Sequence, residues 1–289
     1  MNQFSKITAL TLLSLGVAWP ACADTVLYNI DFPNFLIGTA SRPDSGSGER
    51  ETADDFVLTT GASLTGAAFT GVIPPNASIT SVVVEIYRVF PADSDVGRTS
   101  GPPTFSVPPN IPTRVNSPSD VEFADRKSGT NLTFIPTPLA NTVTVANSIV
   151  NNIKVGGPGE GPVTGQEVRV NVLFTSPIDL PADHYFFVPQ VQLSTGDFLW
   201  LSANRPVVAP GTPFPPGFTD LQTWIRNDPG IAPDWLRVGT DVIGGTTFNA
   251  SFEVFGNAVP EPATWIMMLL GFVGLGFAFR QSRRTVRFA

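Results

Sequence analysis

Between residues 24 and 258, apolar and polar residues alternate over many short segments. The clearest case is Glu167–Phe174, in which every second residue is apolar. A period of two places these side chains on one face of a β-strand, because successive strand side chains point to opposite faces. Alternation, or a short apolar run between turn formers, predicts further strands at Val26–Ile30, Phe56–Leu58, Leu64–Ile73, Ser81–Phe90, Leu132–Ile135, Thr142–Ile149, Tyr185–Leu193, Phe198–Ser202 and Phe248–Val254.

Half-buried strands separated by Gly, Pro and Asn are typical of antiparallel sheets that pack on one face. We therefore predict an all-β fold for residues 24–258, an antiparallel two-sheet sandwich in which each strand has a core face and a solvent face. The residues expected in the core include Val84, Ile86, Val168, Val170 and Val172. With 28 Pro, 26 Gly and 14% charged residues, the chain is too apolar for disorder and too rich in turn formers for a helical protein.

Three stretches interrupt the alternation and are predicted to be long surface loops. Arg42–Glu49 is rich in Ser and Gly, whereas Arg98–Ser119 and Val207–Thr219 are rich in Pro. Proline-rich segments favour the extended polyproline II conformation, which makes no internal hydrogen bonds. No repeat of fixed period and no domain boundary is visible, so one sandwich is favoured over two.

The N-terminus has the organisation of a secretory signal peptide. Lys6 precedes an apolar stretch over residues 7–19, and Ala21 and Ala23 form the small-residue pair of an A-x-A cleavage site. The stretch is too short for a comfortable membrane anchor, because a spanning helix needs about 20 residues. Signal peptidase is therefore expected to remove a signal helix, residues 1–23. Cys22, the only cysteine, would leave with it, so the mature chain would have no disulfide, thiol nucleophile or thiolate metal site.

The C-terminus carries a second apolar segment. Trp265–Phe279 is uninterrupted by polar residues, and we predict a transmembrane helix over residues 264–279. A basic tail follows over residues 280–287, and positive charge beside a membrane segment stays in the cytoplasm. The body would then lie outside, whereas a buried core helix would not end in the four arginines Arg280, Arg283, Arg284 and Arg287.

The order of Val259, Pro260, Glu261 and Pro262, an apolar helix and an arginine cluster closely resembles the PEP-CTERM sorting signal of Gram-negative bacteria. The resemblance covers residues 259–287, a segment also labelled the C-terminal domain of ice-binding proteins. It implies recognition of the motif by an exosortase-type membrane transpeptidase. The protein would be anchored in the inner membrane with its body in the periplasm, and the body would pass on cleavage to the cell surface or the exopolysaccharide.

The charge of the body restricts its partners. Residues 24–258 carry 12 Lys and Arg against 23 Asp and Glu, a net charge of −11. Such a surface repels nucleic acid and anionic lipid headgroups, so nucleic acid is excluded as a partner. It suits a solvated exported protein and one that attracts divalent cations.

The chain offers little catalytic chemistry. His184 is the only histidine, and neither a metalloprotease nor a hydrolase nor a nucleotide-binding motif is present. Asp54 and Asp55 could be an acid and a base, but adjacent strand residues face opposite sides and could not converge on one glycosidic bond. We expect them at the exposed mouth of a strand, binding calcium or capping a turn. The segment Thr52–Thr59 is similar to an opening of PEP-CTERM surface proteins with a lectin-like sandwich, which implies a sandwich of jelly-roll or lectin-like type.

No residue is assigned as catalytic, cofactor-binding or metal-binding. Asp93 and Asp95 begin a loop with oxygen atoms at alternate positions, but the loop lacks the bidentate Glu of an EF-hand. Weak calcium binding at these or the Asp54 and Asp55 carboxylates is the only cofactor expectation. Three tryptophans could stack on sugar rings if they share an exposed face, although burial in the sandwich is commoner: Trp200, Trp224 and Trp235.

These observations favour an exported, C-terminally sorted protein of the cell surface or exopolysaccharide, non-catalytic and adhesive towards glycans. A secreted polysaccharide-active enzyme is the alternative. Ice binding is a third function, which a regular Thr-x-Thr array would support, but only fragments such as Thr142-Val-Thr144 occur.

Overall fold

The structure is a computed structural model that describes residues 24–44, 48–90, 105–106, 111–112, 115–204, 219–226, 235–245, 248–259, 268–275 and 280. Within these ranges the chain forms a π-helical turn at Val238–Val242 and seventeen strands: β1 (Thr25–Asn29), β2 (Pro33–Ala40), β3 (Glu51–Leu58), β4 (Ala62–Ile73), β5 (Ile79–Val89), β6 (Phe105–Ser106), β7 (Ile111–Pro112), β8 (Pro118–Lys127), β9 (Leu132–Val145), β10 (Asn147–Ile149), β11 (Val163–Leu180), β12 (Asp183–Leu193), β13 (Leu199–Ala203), β14 (Trp224–Arg226), β15 (Leu236–Arg237), β16 (Asn249–Ala250) and β17 (Phe252–Ala258).

The strands form two large sheets and a small ribbon. In the nine-stranded sheet the order β1-β17-β4-β13-β2-β10 is joined by β11, which lies between β4 and β9, and by β16 beside β13. The six-stranded sheet has the order β15-β14-β3-β12-β5-β8, and β6 pairs with β7. Among the strand pairs described, only β2 with β10 is parallel. The predicted mostly antiparallel, two-sheet fold is therefore confirmed.

A common apolar core holds the two sheets together. Phe187 of the six-stranded sheet stacks on Phe252 of the nine-stranded sheet, with ring centroids 5.1 Å apart, and its ring also approaches Phe69 and Trp200. Such aromatic pairs contribute about 0.5–1.5 kcal/mol each beyond the area they bury. The five residues predicted for the core are all buried: Val84, Ile86, Val168, Val170 and Val172.

Strand β11 shows the predicted alternation, whereas β3 and β12 do not. Val168 is 1% exposed, while Arg169 beside it is only half-buried. In β3 and β12 nearly every residue is buried, so the expectation of one solvent-facing side is wrong for these strands. The reason is a second apolar cluster on the outer face, where Trp224 and Trp235 cover Tyr87, Phe186 and Val188.

Several boundaries differ from the sequence pattern. Strand β9 joins the predicted segment Leu132–Ile135 to the first part of Thr142–Ile149, and the rest of that segment forms β10. Strand β3 begins five residues before Phe56, and β2 and β8 were not predicted. Ser251 divides the predicted strand at Phe248–Val254 into β16 and β17. The proline-rich segments lie largely outside the described residues, but Ser117–Ser119, expected in a loop, is buried where β8 begins.

The end of the chain is helical where it is described, at residues 268–275 and at Arg280. No helix in these portions is long and apolar enough to cross a membrane. The transmembrane helix over residues 264–279 stays a prediction.

Candidate functional site

The body of the protein ends where the predicted sorting signal begins. Strand β17 lies inside the nine-stranded sheet, paired with β1 on one side and β4 on the other. One residue beyond it, the Val259 N–H donates to the Gly61 carbonyl over 2.7 Å. Because this bond continues the β17–β4 ladder, the sandwich extends at least to residue 259.

Both ends of the body lie at the same pole of the sandwich. Strands β1 and β17 are antiparallel, with Thr25 opposite Gly256, and the Asn257 amide donates to the Asp24 carboxylate over 3.1 Å. Asp24 is the first residue after the predicted signal peptide. The other residues predicted for the two signals lie outside the described part of the chain: Ala21, Ala23, Pro260, Glu261, Pro262, Arg283, Arg284 and Arg287. The calcium candidates Asp93 and Asp95 also lie outside it.

Asp54 is a buried hydrogen-bond hub rather than an exposed ligand at the mouth of a strand. It lies within β3 and is 0% exposed. Its Oδ1 accepts from the Asp55 N–H and the Asn249 amide, and its Oδ2 accepts from the Thr223 hydroxyl and the Ala250 N–H. Since β3 and β16 belong to different sheets, Asp54 joins the two sheets. Burial, followed by the charge of Asp55, raises its pKa, which these donors oppose.

Asp55 is equally buried and pairs with the only histidine. Its Oδ2 lies 2.6 Å from His184 Nε2 and accepts from the Leu221 N–H over 3.1 Å, whereas no donor among the described groups reaches Oδ1. Burial lowers the pKa of His184 to about 4, against the charges of Asp183 and Asp220, so the ring is uncharged at neutral pH. His184 therefore has a structural environment, and both aspartates contact the segment that contains Leu221 and Thr223.

A cavity of about 340 Å³ opens above this segment. Asn116 and Gln222 line this cavity and have φ angles of 69° and 62°. This is the left-handed backbone conformation, which is uncommon for residues other than Gly. Residues held in such conformations cluster at ligand sites. The lining is mostly polar: Val115, Asn116, Thr219, Asp220, Leu221, Gln222, Trp224 and Arg237.

A second acidic group, on the outer face of the six-stranded sheet, was missed by the sequence reasoning. Carboxylate oxygens of Glu49, Glu51 and Glu85 lie within 4.8 Å of one another, and we call these residues the glutamate cluster. The Tyr87 hydroxyl contacts Glu51 and Glu85, and Arg226 contacts Glu51. Burial, and then the charge of Glu51, raises the pKa of Glu85 to about 9. The sequence offered one signal for this cluster: Glu51 of β3 and Glu85 of β5 are acidic residues within strands, and both are buried in the fold.

The tryptophans do not form an exposed sugar-stacking platform. Trp200, Trp224 and Trp235 are all buried, which confirms the commoner interpretation of their role. Trp200 belongs to the core between the sheets, whereas Trp224 and Trp235 belong to the cluster on the outer face.

Comparison with known proteins concerns the tail alone. No characterised protein and no solved structure is significantly similar to the chain. Residues 258–284 match the PEP-CTERM protein-sorting motif. The match begins at the last residue of β17, so the motif follows the folded body directly. The chain thus carries, at its C-terminus, the motif of exported proteins that an exosortase-type membrane enzyme processes on their way to the cell surface.

Proposed function

We propose that this protein is a non-catalytic component of the cell surface or exopolysaccharide of a Gram-negative bacterium, and that its sandwich adheres to glycans. The inner membrane holds the newly exported chain, with the body in the periplasm. Exosortase-type cleavage at Pro260-Glu261-Pro262 then releases the body from its membrane anchor. The observation that carries the proposal is the position of the sorting motif, immediately after the last strand.

The structure supports cleavage without damage to the body. Strand β17 has partners on both sides, and the Val259 N–H, at the end of this described range, bonds the Gly61 carbonyl just before β4. Two prolines in the motif fix φ and lack N–H donors, which favours extended conformations in the residues that precede them. Cleavage within residues 260–262 would remove none of the described strands of the sheet.

The distribution of polar groups supports adhesion rather than hydrolysis. Asp54, Asp55 and His184, the residues most suggestive of catalysis, are buried and occupied with hydrogen bonds between elements. The polar cavity lies beside Asp220, which accepts a bond of 2.9 Å from Asn249 at the start of β16.

Sorting is tested with two variants expressed in the native host. Glu261→Ala removes the charge of the motif, and deletion of residues 280–289 removes the basic tail. Both should accumulate as unprocessed, membrane-associated protein, while Glu253→Ala, which changes a carboxylate in the strand just before the motif, should be processed. If both signal variants reach the surface at wild-type size and amount, the sorting role is wrong.

Adhesion is tested with the processed protein recovered from the surface. We expect it to bind exopolysaccharide from the same cells, measured by co-sedimentation, without releasing reducing sugar. Release of reducing sugar that is lost in Asp55→Asn would establish the polysaccharide-active enzyme instead. Inhibition of ice growth without glycan binding would establish the ice-binding alternative. Absence of all three would leave a structural surface role and refute adhesion.

A further inference from the structure

Three buried oxygen atoms around residues 220–222 have no hydrogen-bond donor among the described groups. They are Asp55 Oδ1, Asn249 Oδ1 and Gln222 Oε1, and their residues are at most 8% exposed. An unsatisfied buried acceptor costs about 1–3 kcal/mol, so three of them close to one turn need a physical explanation.

The three atoms are grouped by a few short contacts. The Leu221 N–H bonds Asp55, the Asn249 amide bonds Asp220, and the Gln222 N–H bonds Asp220 over 3.2 Å. The three atoms thus belong to Gln222 itself or to residues bonded to Asp220 and Leu221, and residues 220–222 all line the cavity described above. Gln222 is held there at a φ of 62°, so the turn retains a strained conformation while its side-chain oxygen remains without a donor.

Charge at this place points to a cation. Asp54 and Asp55 are both fully buried, and among the described residues no Lys or Arg contacts either carboxylate. The Asn249 amide must turn its NH₂ towards Asp54 and Asp220, because only the NH₂ can donate to them, and this fixes the position of its oxygen.

We propose that the turn at Asp220–Gln222 binds a calcium ion, which enters through the cavity. Carboxylate and amide oxygens are the ligands that calcium prefers, and it accepts six to eight of them in flexible geometry. Asp55, Asp220, Gln222 and Asn249 supply the protein oxygens. Asp54 is not a ligand, because four donors already occupy its two oxygens. This inference goes beyond sorting and adhesion and does not depend on either.

The site differs from the glutamate cluster, where Arg226 lies against Glu51 and provides the compensating positive charge. It also differs from the weak, exposed site that the sequence suggested at Asp54 and Asp55, since both residues are buried. A buried oxygen set is more rigid than a surface loop, and rigidity strengthens calcium binding.

The test uses the full-length protein purified in detergent, titrated with calcium chloride by calorimetry and followed by thermal unfolding. We expect saturable binding and a higher unfolding midpoint with calcium than with magnesium. Terbium, which takes the same oxygen ligands, should give luminescence when tryptophan is excited. Calcium should displace it, and Trp224→Phe should reduce the luminescence because it removes the tryptophan on the cavity wall.

Gln222→Met is the decisive variant because it removes the side-chain amide, including the unpaired oxygen, and keeps the length of the side chain. If Gln222 is a ligand, the calcium affinity falls about tenfold. If no ion binds, replacing an unsatisfied amide by an apolar isostere raises the unfolding midpoint and leaves any calcium response unchanged. Asp55→Asn should also weaken binding, whereas the exposed Asp179→Asn should not. Absence of calcium binding, or its loss only in Glu49→Gln, would overturn the proposal.

Discussion

The Asp54 carboxylate accepts hydrogen bonds from the Thr223 hydroxyl, over 3.2 Å, and from Asn249 and Ala250 of the opposite sheet. Asp54, which in the sequence resembles half of a catalytic pair, thus connects the two sheets and the segment that precedes β14 through hydrogen bonds. Asp54→Ala should lower the free energy of unfolding by about 3–5 kcal/mol, because several buried donors lose their acceptor. Asp179→Ala, on an exposed part of β11, is the matched control and should change stability by less than about 0.5 kcal/mol. Chemical denaturation of both variants measures the difference, and equal stability would contradict the role of Asp54.

The common core should depend on Phe187 more than on any exposed apolar residue. Phe187 contacts Phe69, Trp200 and Phe252, so Phe187→Ala should cost about 3–5 kcal/mol of unfolding free energy. Leu173 is 51% exposed on β11, and Leu173→Ala should cost less than about 0.5 kcal/mol. Urea denaturation measures both, and a similar small loss in each would show that the sheets do not share this core.

The glutamate cluster predicts a stability that falls as the pH rises. The pKa of Glu85 is about 9 in the folded protein and 4.5 in the unfolded chain, so between these values the folded state holds the extra proton. Raising the pH through this window therefore favours unfolding. Glu85→Gln keeps the neutral form at every pH and should flatten the decline, so it should be more stable than wild type at pH 8. Unfolding measured from pH 5 to 9 tests this, and parallel curves for the two proteins would contradict it.

Much of the fold could be predicted from the sequence because most strands have the period of a half-buried sheet. Val168, Val170 and Val172 are buried as their spacing indicates. The period fails for Phe186 and Val188, since Trp224 and Trp235 come from distant segments to cover the outer face. Local alternation carries no information about such a cover.

The candidate site could be predicted only in part, for a related reason. Asp54 and Asp55 stood out as an adjacent acidic pair, but their burial depends on contacts with Leu221, Thr223 and Ala250, more than 160 residues away along the chain. The glutamate cluster likewise brings together Glu51 of β3, Glu85 of β5 and Glu49, which lies two residues before β3. Only the sorting motif, which is a linear sequence, could be predicted in full without the fold.

The body should fold without its tail. Deletion of residues 260–289 removes none of the strands that the structure describes, so the unfolding free energy should stay within about 0.5 kcal/mol of wild type. Deletion of residues 252–289 removes β17 from between β1 and β4 and should prevent folding. Far-ultraviolet circular dichroism and denaturation distinguish the two truncations. Loss of structure in the shorter deletion would show that the tail belongs to the fold.

The central claim is that a body bounded by Asp24 and the PEP-CTERM motif is cut from its C-terminal anchor. Intact mass measurement of the protein from the cell surface or extracellular matrix tests it most directly. We predict a polypeptide that begins at Asp24 and ends at or beside Pro260-Glu261-Pro262, with any attached group added to that mass. A surface form that retains the chain through Ala289 would contradict the account.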